Sequence, residues 1–275
     1  MGIPGAGKTR LAREYAERGY ERLNRDERGG SLRALAAALD ERLAAGARRV
    51  VLDNTYLTRA ARSHVVDAAA RHGLPVRCVW LRTPLAQAQV NMVERLLERF
   101  ERLPTPDELR AAARKEPWLL APTAQMRTVR ELEPPSLDEG FAAVEEVDFV
   151  RALSGVGGGV LVAAAALDRP AWREAVAAAD PAAPHLVFDW APGGEDAGAE
   201  AAARLRRAVT GPVEHAACPH AGGPPRCWCR PPLPGLALAF CRACGLEPAR
   251  STVIGCAPAH RTLAAALGAR HLDVR

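Results

Sequence analysis

Hydrophobic positions in the first 150 residues switch repeatedly between a helical and a strand period. Thr9–Arg18 has a helical period and Glu21–Asn24 is a short strand candidate. Ser31–Ala45 predicts an amphipathic helix with Leu32, Leu35, Leu39 and Leu43 on one side. Arg49–Asp53 is an apolar run closed by an acid, which predicts a buried strand. Arg59–His72 follows as a helix, Val76–Leu81 as another apolar strand, and Leu85–Leu103 as a longer helix. Thr105-Pro106-Asp107-Glu108 supplies an N-cap, a proline at the first helical position and first-turn acids, so a further helix begins there. Alternation of this kind predicts an α/β fold with a parallel sheet and flanking helices.

Beyond Ala152 the texture changes to less charge and more Gly, Pro and Cys. Ser154-Gly155-Val156-Gly157-Gly158-Gly159 reads as a turn or short linker. The expected division is a first domain over 1–152 and a second over 155–275, and 275 residues suit two cores. The net charge of +5 is spread over both halves, so no histone-like nucleic-acid footprint exists. No run approaches the roughly 20 apolar residues of a membrane span. The chain opens on a glycine loop without a basic start and apolar segment, so a cytoplasmic protein is expected.

Gly2-Ile3-Pro4-Gly5-Ala6-Gly7-Lys8-Thr9 matches the phosphate-binding P-loop pattern. Gly2, Gly5, Ala6 and Gly7 offer backbone N–H groups that curl around phosphate oxygens. Lys8 brings positive charge to the β and γ phosphates of ATP, and the Thr9 hydroxyl sits on Mg²⁺. A P-loop normally follows a buried strand, whereas only Met1 precedes Gly2. The expectation is therefore a parallel sheet whose first strand is truncated.

Two acids close strands. Asn24-Arg25-Asp26 follows one and Asp53-Asn54-Thr55 ends another, both at the carboxyl edge where the P-loop also lies. Phosphoryl transfer to a hydroxyl needs a carboxylate near the acceptor oxygen and a cation near the phosphates. Asp26 is the candidate general base, and Asp53 assists the Mg²⁺ shell or holds the acceptor. Arg95, Arg99 and Arg102 fall on one stripe of the Leu85–Leu103 helix. They read either as a lid reaching the transferred phosphate, with Arg95 and Arg99 the catalytic candidates, or as a solvated face on which Glu98 pairs with Arg102. Arg127 and Arg130 are further candidates for ATP or acceptor phosphate contacts.

Residues 2–150 resemble the kinase half of polynucleotide kinase-phosphatases, enzymes that heal 5′-hydroxyl ends. The resemblance rests on Gly2–Thr9, Asn24-Arg25-Asp26, Asp53-Asn54-Thr55, the Gln87–Arg95 helix with Asn91, and Pro135-Ser136-Leu137-Asp138-Glu139-Gly140-Phe141. It implies that Asp26 activates a 5′-hydroxyl, that Lys8 and Thr9 handle ATP and Mg²⁺, and that Arg95 or Arg99 is the lid arginine. The run Glu27-Arg28-Gly29-Gly30 departs from the family pattern, which has an aromatic and an arginine there. Only 5% of residues are aromatic, leaving few platforms for stacked bases. A small alcohol metabolite is therefore the alternative acceptor, and a non-catalytic ATP-binding partner protein the third reading.

Six of the seven cysteines fall in the last 60 residues. Cys218-Pro219-His220 and Cys227-Trp228-Cys229 place four metal-binding side chains in twelve residues, a Cys₃His set suited to structural Zn²⁺. Cys241 and Cys244 sit in an apolar helix, Gly235–Cys244, and read as buried thiols. The loop runs into Arg230-Pro231-Pro232-Leu233-Pro234-Gly235 and then the strand Ser251–Gly255. This resembles the zinc-loop haloacid-dehalogenase-type phosphatases acting on histidinol phosphate and heptose bisphosphate, and implies a Rossmann-like second domain. The chemistry of that family is eroded here. Leu167-Asp168-Arg169-Pro170 keeps at most the first acid, Pro231 stands at the lysine position, and Gly255-Cys256-Ala257-Pro258 lacks the late acid. A zinc-bearing, catalytically inactive second domain is expected.

Overall fold

The computed structural model describes residues 1–153, 155–193 and 197–274. Two compact units share the chain. One contains Met1–Ala88, Lys115–Leu120 and Ala124–Val150; the other contains Gln89–Arg114, Ala121–Thr123 and Arg151–Arg275.

In the first unit the alternation of helix and strand is realised. The chain runs α1 (Lys8–Glu17), β1 (Glu21–Asn24), the single turn α2 (Arg25–Arg28), α3 (Leu32–Ala44), β2 (Val50–Asp53), α4 (Arg59–Arg71) and β3 (Arg77–Leu81). The helices α3 and α4 start where a hydroxyl can satisfy an open backbone donor. Ser31 Oγ accepts from Ala34 N–H at 3.1 Å, and Thr58 Oγ1 accepts from Ala61 N–H at 3.1 Å. The apolar stripe of α3 is buried as its spacing requires: Leu35, Leu39 and Leu43 pack with Leu23, Tyr56 and the Val65, Ala68 and Ala69 face of α4.

The sheet of this unit is in two pieces. β1 pairs with β2 in parallel, and β3 pairs in parallel with β4 (Ala143–Val147). Val50, Val51 and Leu52 are consequently only half-buried, although an apolar strand of this kind was expected to lie inside. The reason is topological: one edge of β2 and one edge of β3 carry no strand among the described residues.

α5 (Leu85–Phe100) begins in the first unit and continues in the second, which also holds α6 (Pro106–Ala113); α7 (Pro122–Glu131) again crosses the division. α5 ends earlier than its apolar period suggests, because Glu101 takes a positive φ of 60° that a helix cannot continue. Arg102 thus leaves the Arg95–Arg99 stripe, and the expected pairing with Glu98 gives way to Glu108, at 2.5 and 3.0 Å. Glu108 is fixed by a capping box, in which Thr105 and Glu108 bond each other's backbone N–H; the sequence had marked Thr105 as N-cap and Glu108 as a first-turn acid.

The second unit is built on a five-stranded parallel sheet of β5 (Val160–Ala163), β6 (His185–Trp190), β7 (Val213–Cys218), β8 (Thr252–Gly255) and β9 (Arg270–Asp273). Its order is β7-β6-β5-β8-β9, so the chain starts at the centre and winds outward both ways, the Rossmann-like arrangement. All four residues of β5 are buried, as a central parallel strand demands. The helices α8 (Trp172–Ala177), α9 (Ala197–Arg206), α10 (Gly235–Ala243) and α11 (Pro258–Leu267) occupy the crossovers.

Ser154, at the head of the expected linker, lies outside the described residues. The glycines after it are packed rather than loose. Gly155 N–H donates to Glu247, Gly159 N–H donates to Ser251 Oγ at 3.0 Å, and a Cβ on Gly158 would stand 2.0 Å from the Arg250 carbonyl oxygen.

Candidate active site and metal centre

The phosphate loop is shaped by its glycines. Gly5 and Gly7 adopt φ of 84° and 94°, a region that disfavours other residues. A Cβ at Gly5 would also lie 2.3 Å from the Ala88 carbonyl oxygen. Gly7 is the N-cap residue of α1, so the loop delivers the positive end of that helix to its own cradle. Two buried side chains hold the loop from outside: Thr83 Oγ1 donates to the Ala6 carbonyl at 2.9 Å, and Gln125 Nε2 donates to the Pro4 carbonyl at 2.9 Å. Neither is part of the loop motif, and no sequence spacing marks them. Lys8 folds back and donates to the Ile3 carbonyl at 2.9 Å, placing its ammonium over the concave side. Thr9 begins the first turn of α1 beside it.

Both strand-end acids are at the carboxyl edges of β1 and β2, where the parallel register sets Asn24 opposite Asp53. Asn24 organises the corner. Its Oδ1 accepts from Asp26 N–H at 2.7 Å and Glu27 N–H at 3.2 Å, which caps α2, while its Nδ2 donates to the Asp53 carbonyl at 2.9 Å and to Asp53 Oδ2 at 3.1 Å. Asp53 is buried, at 4% exposure, and is held further by Arg22, whose Nε and NH2 donate to Oδ2 at 3.2 and 2.7 Å. Burial opposes the charge on Arg22, but its hydrogen bonds to Asp53 and Glu27 outweigh that and raise its pKa above the ordinary arginine value. Arg22 escaped the sequence reading because a lone arginine in a four-residue strand carries no signal. Asp26 stands at the exposed start of α2, paired with Arg25 at 3.1 Å. Lys8 and Asp53 line one cavity of the first unit, of about 720 Å³.

The tail motif at residues 135–141 is anchored inside the same unit. Arg62, only 3% exposed, meets Glu139 through two hydrogen bonds of 2.6 and 2.7 Å and also donates to the carbonyls of Tyr56, Leu57 and Glu133. Arg59 meets Asp138 at 2.7 Å on the surface. Arg127 and Arg130 lie on the part of α7 that belongs to this unit. Arg95 and Arg99 lie on α5 within the second unit. There Asn91 and Glu94 receive Arg151, at 2.5 and 2.7 Å.

Cys218, His220, Cys227 and Cys229 converge in the second unit. Their ligand atoms all lie within 4.8 Å of one another. Cys218 Sγ is 3.5 Å from His220 Nδ1 and 3.6 Å from Cys227 Sγ, and Cys229 Sγ is 3.2 Å from His220 Nδ1. A tetrahedral ion with bonds of about 2.3 Å to sulfur and 2.0 Å to nitrogen separates its donors by about 3.5–3.8 Å, so the set can hold such an ion with little adjustment. β7 supplies Cys218 at its last position, and the loop is tied down around it. Trp190 Nε1 donates to the His220 carbonyl at 2.8 Å, and Arg230 lies over the Trp190 ring while donating to the Gly223 carbonyl at 2.6 Å. Cys241 is buried in α10, and burial raises its thiol pKa to about 12.

At the centre of the second sheet, β5 ends on Ala163 and is followed by a 3₁₀ turn, Ala164–Asp168. Asp168 is at the far end of that turn, exposed and paired with Arg204 at 2.9 Å. The residues that leave the central strand are alanines. Asp189 lies at the carboxyl end of β6 and accepts from Trp190 N–H at 2.7 Å.

This combination of glycine-shaped loop, helix N-terminus and parallel strands ending in Asn24 and Asp53 defines a phosphate-binding P-loop segment, followed by a second α/β unit. Residues 1–117 match a family described as an AAA domain. Over 150 residues the chain is 28% identical to the bifunctional polynucleotide phosphatase/kinase of Schizosaccharomyces pombe. That similarity covers 54% of this chain and 32% of the S. pombe protein, about a third of its length. The resemblance read from the motifs of residues 2–150 is thus joined by similarity to a polynucleotide phosphatase/kinase over 150 residues.

No helix among the described residues is long and apolar enough to cross a membrane.

Proposed function

We propose that this protein is an ATP-dependent kinase that phosphorylates 5′-hydroxyl ends of nucleic acid, organised as a kinase domain over 1–152 and an inactive phosphatase-like domain over 155–275. The observation that carries the reading is the Asn24 corner: one side chain caps the turn that presents Asp26 and also binds Asp53, beside the P-loop Lys8. A nucleotide-binding module has no need of such a corner. The similarity to a polynucleotide phosphatase/kinase supports the acceptor.

In this reading Gly2, Gly5, Ala6 and Gly7 wrap the phosphates with backbone N–H groups, and Lys8 swings from the Ile3 carbonyl to the β and γ oxygens. The Thr9 hydroxyl and Asp53 are the side chains that would hold Mg²⁺, which would supply charge neutralisation at the phosphates. Asp26 accepts the proton of the attacking hydroxyl, a role that suits an exposed carboxylate open to an incoming end. Arg22 holds Asp53 in place through two hydrogen bonds to Oδ2. Arg127 and Arg130, in the same unit as the P-loop, are the arginines assigned to the transferred phosphate.

The second domain is a haloacid-dehalogenase-type shell in this reading. Its central strand ends in Ala163 and Ala164, Asp168 is turned to Arg204, and neither offers a nucleophile at the strand end. Cys218, His220, Cys227 and Cys229 would hold Zn²⁺, which would staple a Pro- and Gly-rich loop that has little core of its own.

The test is transfer of labelled phosphate from ATP to 5′-hydroxyl DNA, 5′-hydroxyl RNA and a panel of alcohol metabolites. Transfer to an oligonucleotide that is lost in Asp26→Ala, with ATP binding intact, is the expected result. Transfer to a metabolite alone would establish the second reading, which the low aromatic content and the Glu27-Arg28-Gly29-Gly30 run favour. ATP binding without transfer to any acceptor would leave a partner protein.

A further inference from the structure

Trp190 and Cys218 are the last residues of β6 and β7, and the parallel register sets them opposite one another. Opposed positions share a face of the sheet, so the indole stands at the root of the loop that Cys218 opens. It stays in the open there. Trp190 is 43% exposed, and no other aromatic residue among those described is as open. A tryptophan left in water forgoes the large apolar burial that its ring offers.

The ring is nevertheless fixed. Its Nε1 donates to the His220 carbonyl at 2.8 Å, and the Arg230 guanidinium lies over the ring at 5.4 Å. Arg230 is held in turn by the Ala221 and Gly223 carbonyls, at 3.3 and 2.6 Å. The charge around the ring is as unusual as its exposure. Arg22, Arg59, Arg62, Arg102 and Arg204 all meet carboxylates. Arg230 meets backbone carbonyls instead, and Arg226, exposed on the same loop, has no side-chain partner among the described residues. Asp189 precedes Trp190 in the chain but belongs to the other face of β6 by alternation, and it accepts from the Trp190 N–H at 2.7 Å. The loop thus presents a rigid, partly open π-surface beside two guanidinium groups that no described carboxylate neutralises.

We propose that Trp190, Arg226 and Arg230 form a docking surface for single-stranded nucleic acid, with an unpaired base stacked on the indole and backbone phosphates at the two guanidinium groups. This rests on the reading of the acceptor as a nucleic-acid end, and adds a second place at which the chain would hold such a strand. Each part of the surface selects its occupant. Phosphates match the positive loop, which disfavours neutral and cationic partners. A base has a π-face that fits an exposed ring, which a carboxylate-rich peptide lacks. A duplex hides its base faces by stacking them on one another. The low aromatic content of the chain is no obstacle, since one fixed ring serves one base.

The experiment uses the full chain without ATP, so it reads binding and not phosphate transfer. A single-stranded oligothymidine carrying one iodinated uracil is bound and irradiated, and the cross-link is expected in the peptide that contains Trp190. Anisotropy of a fluorescein-labelled strand should show Trp190→Ala weakening binding by about tenfold or more. Trp190→Phe keeps a ring without the Nε1 donor and should retain most of the affinity. Arg226→Ala should lower the slope of log affinity against log salt by about 0.7, the value of one phosphate contact on a single strand, and Arg226→Lys should restore it. A cross-link confined to the first unit, or equal affinity of Trp190→Ala and the unaltered chain, overturns the proposal even where phosphate is transferred to an oligonucleotide, so the kinase reading stands or falls separately. Equal losses in Trp190→Phe and Trp190→Ala overturn it too, because the ring would then act only by supporting the loop. So does competition by poly-glutamate or by a duplex as strong as that of the single strand, since the surface would then serve an acidic peptide or any polyanion.

Discussion

Replacing Arg62 with Met should cost the first unit about 3–5 kcal/mol, the usual loss when one partner of a buried ion pair is removed. The structure makes the upper half of that range the expected one. Arg62 and Glu139 are 3% and 4% exposed, and the guanidinium also serves the carbonyls of Tyr56, Leu57 and Glu133. Met fills the aliphatic volume but leaves Glu139 charged and unpaired. Domains hold only about 5–15 kcal/mol in total, so the variant should be partly unfolded at moderate urea. Urea titration followed by hydrogen exchange at the amides of α3 and α4 reads the loss in the first unit. The double variant Arg62→Met/Glu139→Leu removes both charges and should recover part of the stability. The pair also predicts an acid limb. Arg62 holds the Glu139 carboxyl below its ordinary range, chiefly by hydrogen bonding. A depressed folded pKa contributes stability above the unfolded value, near 4.3, and loses it as pH falls through the folded one. The acid limb should therefore flatten in the double variant. A single-variant loss below about 1 kcal/mol, as for an exposed pair, would refute this account of the tail.

Three further outcomes are expected. Arg22→Gln leaves Asp53 buried with a weaker donor, and should slow phosphate transfer by about tenfold or more while Arg22→Lys restores part of the rate; an unchanged rate would remove Arg22 from the site. Lys8→Ala should weaken ATP binding by at least about tenfold, about 1.4 kcal/mol, without moving the urea midpoint, as isothermal titration and denaturation would show; unchanged affinity would count against the loop assignment. Metal analysis of the purified full chain should find zinc, and Cys227→Ser should lose it; retention of a full equivalent would disprove the ligand set.

Local order was readable from residue spacing alone. Helix geometry places residues three and four apart on one face, so the Leu35–Leu39–Leu43 stripe was legible, as were the Thr105 cap and the Pro106 start of α6; the Ser31 and Thr58 caps came only with the structure. The P-loop is likewise local, because its shape follows from where glycine permits a positive φ. The four metal-binding side chains were visible through close spacing, and the turn that joins them brings them together.

What spacing could not reveal was every partnership set by register or long loop closure. Glu139 finds Arg62 across 77 residues, and Gln125 supports Pro4 across 121. Asp53 was recognised as a strand-end acid, but its tie to Arg22 and Asn24 exists only because β1 and β2 pair in one particular register. Arg102 shows the reverse: helical period alone put it on a stripe that a single positive φ at Glu101 removes. The sequence raised the question of a strand ahead of Gly2. Only the tertiary structure shows that the strands of the first unit form two separate parallel pairs among the described residues, because β2 and β4 find their partners far back in the chain.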